Sequence, residues 1–202
     1  SRHSDRILIQ SRAFAAPRIA RGAGPAGIRY FPNSAETLYQ PAPGVSQDTS
    51  DPAMPPDFHL MFAGNSGAAQ DFETILAAAE LLKAETSIQW LVVGDGRLRE
   101  WVAREINQRG MQATVHLLGR HPIEAMPRFF AQADAMLVTP RKEPRFALTL
   151  PAKVQSYLAC AKPRLADTDG EGAGGVTETG PGSASPAGGP GRPDDARSGA
   201  TA

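Results

Sequence analysis

The amino-acid sequence predicts an α/β fold: a doubly wound parallel sheet with helices on both faces, preceded by part of another domain and followed by a disordered tail. Three observations predict it. Apolar runs of strand length recur from residue 58 onward, an apolar stripe at helical spacing follows each run, and the runs are continuous, as strands covered on both faces are. The alternation then stops, because beyond Ala166 the only large apolar residue is Val176.

Each element follows from its own stretch. "DRILIQ" (5–10) reads as a strand, "SRAFAAPRIARG" (11–22) as helical and "IRYFPN" (28–33) as extended, so together they look like the end of a separate domain and the crossover out of it. A proline-rich bridge, "PAPGVSQDTSDPAMPPD" (41–57), comes next. "FHLMFAG" is a strand, after which Phe72, Ile75, Leu76, Ala79 and Leu82 share one helical face. "SIQWLVVG" is a buried strand followed by the stripe Leu98, Trp101, Val102 and Ile106. "TVHLLG" and "ADAMLV" repeat the theme around Ile123, Met126, Phe129 and Phe130. "PAKVQSYLACAKP" closes the series with Val154, Tyr157, Leu158 and Ala161. The expected organisation is 1–56 for the preceding domain end and linker, 57–166 for the doubly wound domain, and 167–202 for a tail too poor in apolar surface to offset the entropy of ordering it.

Composition narrows the function classes. The 202 residues carry 21 basic and 21 acidic side chains, a formal charge of zero that argues against nucleic-acid binding through bulk electrostatics. The single Cys160 allows no internal disulfide and sits in an apolar helical stripe, where it reads as a packed residue and fits a reducing, cytoplasmic setting. No stretch reaches the ~18 apolar residues of a membrane span, and no signal-peptide pattern opens the chain. The chain starts without Met and already approaches a strand, so a fragment is expected.

Sheets of this kind bind ligands beyond the carboxyl ends of their strands. Those ends are Gly64 to Gly67, Gly94 to Gly96, Gly119 to His121, and the loop 139–150. In "VVGDGRLRE" a dinucleotide fingerprint fails at its third glycine, where Arg99 stands, which leaves a tight turn at Gly94 and Gly96 with Asp95 helping to cap the helix. No Walker lysine follows any glycine loop. Arg141, Lys142, Arg145 and Lys153 cluster around a helix start at Pro151, an arrangement suited to a diphosphate; a solvated basic loop is the alternative, and charge alone does not separate the two. His59, His116 and His121 form no metal pattern: the first two read as satisfied strand histidines and His121 as a loop residue able to contact a ligand. Trp90 and Trp101 read as core.

"MFAGNSGAAQDFETILAAAELL", "WLVVGDGRLRE", "VHLLGRHPIEAMPRFFAQADAMLV" and "ALTLPAKVQSYLACAKP", in that order, resemble the C-terminal domain of family-four glycosyltransferases of the GT-B fold. More narrowly, they are similar to the bacterial surface-polysaccharide subgroup that includes fucosamine-type transferases. The likeness runs from about Asp5 to Pro163, with "DRILIQSRAF" and "IRYFPNSAETLY" matching the exit from the acceptor domain. It implies a Rossmann-like half that recognises a nucleotide diphosphate sugar, UDP-linked, with Gly64 and Asn65 approaching the diphosphate and Gly119 and Arg120 near the nucleobase. Thr149, Pro151 and Lys153 fall on the family's Thr-x-Pro-Ser-Lys segment at a helix start facing the donor phosphates. The resemblance further implies no metal or other cofactor, retention at the anomeric carbon, and a saccharide or lipid-linked acceptor held by an N-terminal domain. It places the enzyme in the cytoplasm, with peripheral association at the inner membrane face an option for the full-length protein.

Departures from the family are specific. Asn65 and Gln70 stand where many relatives have Arg and Lys, Ser156 where a ribose-contacting glutamate is usual, Ala152 for the Ser before Lys153, and Ala161 for the Gly before Lys162. After Pro163, Arg164 replaces an apolar residue and only "DGEGA" still resembles the family, as a frameshift, a degraded gene or a truncation would leave it. The expected activity is therefore glycosyl transfer by a partial chain, with little turnover from residues 1–202 alone. The alternatives are a non-catalytic nucleotide-binding or degenerate remnant domain, and an oxidoreductase that tight nicotinamide binding would reveal.

Overall fold

A computed structural model describes residues 5–41, 54–55, 57–67, 69–141, 152–167 and 182–185. The first apolar pieces form β1 (Ile7–Ile9) and β2 (Ile28–Tyr30), a parallel pair joined through α1 (Ala15–Ala20). The later runs form a second sheet from β3 (Phe58–Ala63), β4 (Ile88–Val93), β5 (Val115–Gly119), β6 (Ala135–Val138), β7 (Arg164–Asp167) and β8 (Gly182–Ser185). Its order is β5-β4-β3-β6-β7-β8 and every pairing is parallel. The crossovers are α2 (Phe72–Leu81), α3 (Arg99–Gln108), α4 (Met126–Gln132) and α5, the helix at Ala152–Ala159. The chain thus winds outward from β3 in both directions, and the doubly wound α/β expectation holds.

Period-two alternation within each apolar run explains the two layers. Leu60 and Phe62 of β3, with Trp90 and Val92 of β4, meet Phe72, Ile75, Leu76 and Ala79 of α2 and Val102 and Ile106 of α3. Met61 and Ala63, with Leu91 and Val93, face the other way onto Phe129 and Phe130 of α4 and Val154 and Tyr157 of α5. Each of the larger side chains removed from water stabilises by about 1.5–3 kcal/mol. A one-residue slip would exchange the faces, so burial on both sides fixes the register Phe62 to Val92 and Ala63 to Val93.

Helix ends repeat one solution. At the end of α3, Met111 N–H reaches Ile106 O at 2.9 Å and Gly110 takes φ +65°; α1 closes the same way at Gly22, with φ +89°. α5 uses this geometry too, Lys162 N–H reaching Tyr157 O at 3.1 Å, but its left-handed residue is Ala161 at φ 54°. Ala161 is therefore the exposed cap of α5, not part of its apolar stripe. Ile123 likewise leaves its expected stripe: it starts a short 3-10 turn and is 44% exposed.

The sheet continues beyond Pro163, where the resemblance fades. Arg164 is buried in β7 opposite Met136, and loss of water lowers its guanidinium pKa. Within the segment read as a disordered tail, Gly182–Ser185 pairs with β7 as β8. Strand pairing is made by backbone groups, which a reading based on apolar side chains does not count. The remaining tail positions lie outside the described residues.

Two strand histidines are satisfied as expected. His59 lies within 2.8 Å of Gln132 O and 2.6 Å of Pro55 O, and its backbone N–H donates to Asp134 at 2.7 Å. His116 is 2.6 Å from Gln89 Oε1, and burial lowers its pKa. Trp90 and Cys160 are core, and burial raises the Cys160 thiol pKa; Trp101 packs against the core from a half-buried position.

Candidate functional site

Three strand ends and two helices enclose a cavity of about 750 Å³. Its floor is made by two interlocked glycine loops. Gly64 N–H bonds Val93 O at 2.9 Å, Ser66 N–H bonds Asp95 O at 2.9 Å, and Leu98 N–H bonds Ser66 O at 3.0 Å. The loops approach so closely that a Cβ on Gly94 would collide with the Gly64 carbonyl oxygen, and one on Gly96 with Asn65 and Ser66. Gly94 also has φ +132°, a conformation that L side chains rarely adopt. Glycines that fail as a dinucleotide fingerprint are thus needed for close backbone approach beneath the cavity.

The corner from Gly64 to Gly67 leads into α2, but that helix start is already occupied. Asp71 caps it, accepting from Thr74 N–H at 3.2 Å, and its carboxylate disfavours an anion there. Asp95, expected to cap α3, instead accepts from Gly96 N–H at 2.7 Å and lies 4.0 Å from Arg99; α3 has Leu98 at its cap position and no side-chain cap. Two helices contribute side chains to the cavity from their first turns, α4 through Met126 and Phe130 and α5 through Lys153, Ser156 and Tyr157.

Lys153 sits beneath Gly64. Its Nζ donates to Gln70 Oε1 at 2.8 Å and lies 4.0 Å from the centre of the Phe62 ring. Among the described residues no carboxylate comes within ion-pair distance of it. The residue keeps some exposure toward the cavity, yet burial of the ammonium without a counter-charge pushes its pKa down to about 7. An anion in the cavity would supply the missing charge. Gln70 is held in turn by the closure between the β3 and β6 ends, where Asp71 N–H bonds Thr139 O at 2.8 Å and Arg141 N–H bonds Ala69 O at 2.9 Å.

Arg120 and His121 form the wall beyond β5. His121 Nε2 is 3.0 Å from Leu118 O, and its ring centre is 4.4 Å from that of Phe129. The opposite wall comes from Ser34, Glu36 and Tyr39, between the two sheets. Tyr39 stacks on Phe130 at 5.5 Å, Phe130 meets Tyr157 edge-on at 5.3 Å, and the Tyr157 hydroxyl donates to Ala63 O at 2.9 Å. Burial raises the pKa of both tyrosines, so both hydroxyls stay protonated near neutrality.

Of the residues singled out from sequence, Gly64, Asn65, Arg120, Lys153 and Ser156 converge on this cavity. Gly119 lies just behind it, with φ +76° and its carbonyl accepting from Gly94 N–H at 2.7 Å. Arg141 is exposed and is not among the lining residues. Lys142, Arg145, Thr149 and Pro151 lie outside the described residues. Sequence reasoning missed Ser34, Glu36 and Tyr39, which come from "PNSAETLY", a stretch with neither helical nor strand periodicity.

Residues 57–186 match the family model described as Glycosyl transferases group 1. The chain belongs to that family. This glycosyltransferase chain is 34% identical over 107 residues to WbjE of Pseudomonas aeruginosa, named as a glycosyltransferase; the match covers 53% of the chain and 26% of WbjE. It is 25% identical over 159 residues to WcaI of Escherichia coli K12, whose name places it in colanic acid biosynthesis; that match covers 77% of the chain and 38% of WcaI. The glycosyltransferase chain therefore spans roughly a quarter to two fifths of the curated relatives it matches. The crystal structure of Anabaena HepE in complex with UDP-glucose superposes with a TM-score of 0.68 at 16% identity, over 93% of this chain and 51% of HepE. The fold is that of GT-B glycosyltransferases.

Proposed function

We propose that the cavity binds a nucleoside diphosphate sugar, UDP-linked, and that the whole protein transfers the sugar with retention to a saccharide or lipid-linked acceptor in bacterial surface-polysaccharide assembly, on fucosamine-type sugars. One observation carries the reading: Lys153 is a largely buried cation with no acidic partner among the described residues, beside the glycine-lined floor of an open cavity. Its ammonium stabilises the negative charge that builds on the departing diphosphate as the anomeric carbon gains oxocarbenium character. Arg120, at the β5 end, lines the cavity and is assigned to the nucleobase in this proposal. The names of WbjE and WcaI and the UDP-glucose complex of HepE support the reaction class and the donor.

Residues 1–56 are the end of the acceptor domain and its linker in this proposal, and the acceptor surface lies mostly outside the 202 residues. The chain alone then binds donor but turns over little. A degenerate remnant would bind no nucleotide, whereas a non-catalytic nucleotide-binding domain would share the cleft without the transfer. Calorimetric titration with UDP and UDP-glucose separates a donor cleft from a degenerate remnant. Micromolar binding that weakens at least about tenfold in Lys153→Ala, the loss of a charge-assisted contact, supports the donor cleft. No binding at millimolar ligand would refute it.

A further inference from the structure

A nucleoside diphosphate is not anionic along its whole length, and the cavity is not cationic along all of its walls. Across from Lys153 the linker turn, closed by Tyr39 N–H to Glu36 O at 3.0 Å, places Glu36 on the lining. Tyr39 and, on α5, Ser156 line the same cavity. Glu36, Tyr39 and Ser156 thus bring a carboxylate and two hydroxyls to the cavity lining.

A carboxylate in this position repels phosphate and accepts hydrogen bonds from neutral hydroxyl groups. Ser156 is three residues beyond Lys153 on α5, about 4.5 Å along the helix axis, so the polar edge begins one step from the ammonium. In a nucleotide, the group one step from the phosphate is the pentose, and its vicinal diol is the feature that a carboxylate recognises. The linker wall is also fixed in place, because the stacked rings of Tyr39, Phe130 and Tyr157 tie it to the β3 backbone at Ala63.

We propose that Glu36 is a specificity-determining residue that accepts hydrogen bonds from the ribose diol of the bound nucleotide, on a wall held in place by the stacked ring of Tyr39. The inference rests on the donor-cleft reading above and assigns one end of the ligand within it. It also gives the linker a function in ligand recognition besides connecting two sheets.

The experiment compares UDP, 2′,3′-dideoxyuridine diphosphate, UDP-glucose and inorganic pyrophosphate on the 202-residue chain and on Glu36→Ala, a change at an exposed residue that leaves the core intact. The wild-type chain is expected to bind UDP about tenfold more tightly than the dideoxy analogue, as the loss of hydrogen bonds to a charged acceptor implies. Glu36→Ala is expected to bind both at the weaker level, and pyrophosphate at least as tightly as wild type does, because a like charge is gone. A merely structural role for Glu36 would weaken all four ligands together and so overturn the inference. Full preference for UDP retained in Glu36→Ala would overturn it as well. Loss confined to UDP-glucose would move the contact to the transferred sugar and overturn the ribose assignment. Absence of UDP binding by the wild-type chain would instead defeat the donor-cleft reading, and the inference with it.

Discussion

At the scale of single residues, Lys153 makes the cavity sensitive to pH. Its folded pKa is about 7, against 10.5 for a solvated lysine, because burial disfavours the charge. A bound diphosphate favours the ammonium, so ligand binding above pH 7 draws a proton from solvent and affinity falls as pH rises, by up to about tenfold per unit. Glu36, Asp95, Arg120 and His121 share the same cavity. Arginine does not titrate in this range, so UDP affinity in Lys153→Arg is expected to be nearly flat between pH 7 and 9. Calorimetry at pH 8 in two buffers of different ionisation enthalpy should show proton uptake in wild type and none in the variant; equal uptake in both would remove Lys153 as the source. The same shift has a consequence for folding. Between pH 7 and 10.5 the unfolded chain holds the Lys153 proton more tightly than the folded chain does, so this residue makes stability rise with pH across that window. The position of Lys153 was legible from its place at a helix start near other cations. Its burial was not, because that depends on Phe62 and Gln70, both more than 80 residues earlier in the chain.

At the scale of elements, α5 both supplies the ammonium and ends in the one left-handed alanine among the described residues, where α1 and α3 use glycine. A left-handed alanine costs about 1–2 kcal/mol relative to glycine in that conformation, offset in part by the greater freedom of glycine in the unfolded chain. Ala161→Gly is therefore expected to stabilise the chain by about 0.5–1 kcal/mol, read from the urea midpoint at unchanged slope. A lower midpoint would contradict the capping account. Strands β3 to β6 and the stripes of α2, α3 and α5 were legible because each carries a period that burial on a known face imposes. β7 and β8 were not: one opens on a buried arginine, and the other is built from glycine, alanine and serine.

At the scale of the whole molecule, the winding order brings β3, β4 and β5 side by side, so that three loops far apart in sequence end on one rim. The site is a product of that order. Gly64, Gly94 and Arg120 mark strand ends readable one at a time, whereas the linker wall at Glu36 and Tyr39 depends on the stacking of Tyr39 on Phe130 of α4, 91 residues later in the chain. The most direct test of the account is amide chemical-shift mapping of the 202-residue chain during titration with UDP. The account predicts shifts concentrated at Asn65, Gly96, Arg120, Lys153 and Ser156, with Glu36 and Tyr39 moving at the same ligand concentration and the exposed faces of α2 and α3 silent. Shifts confined to residues away from these strand ends, or none at millimolar UDP, would contradict it.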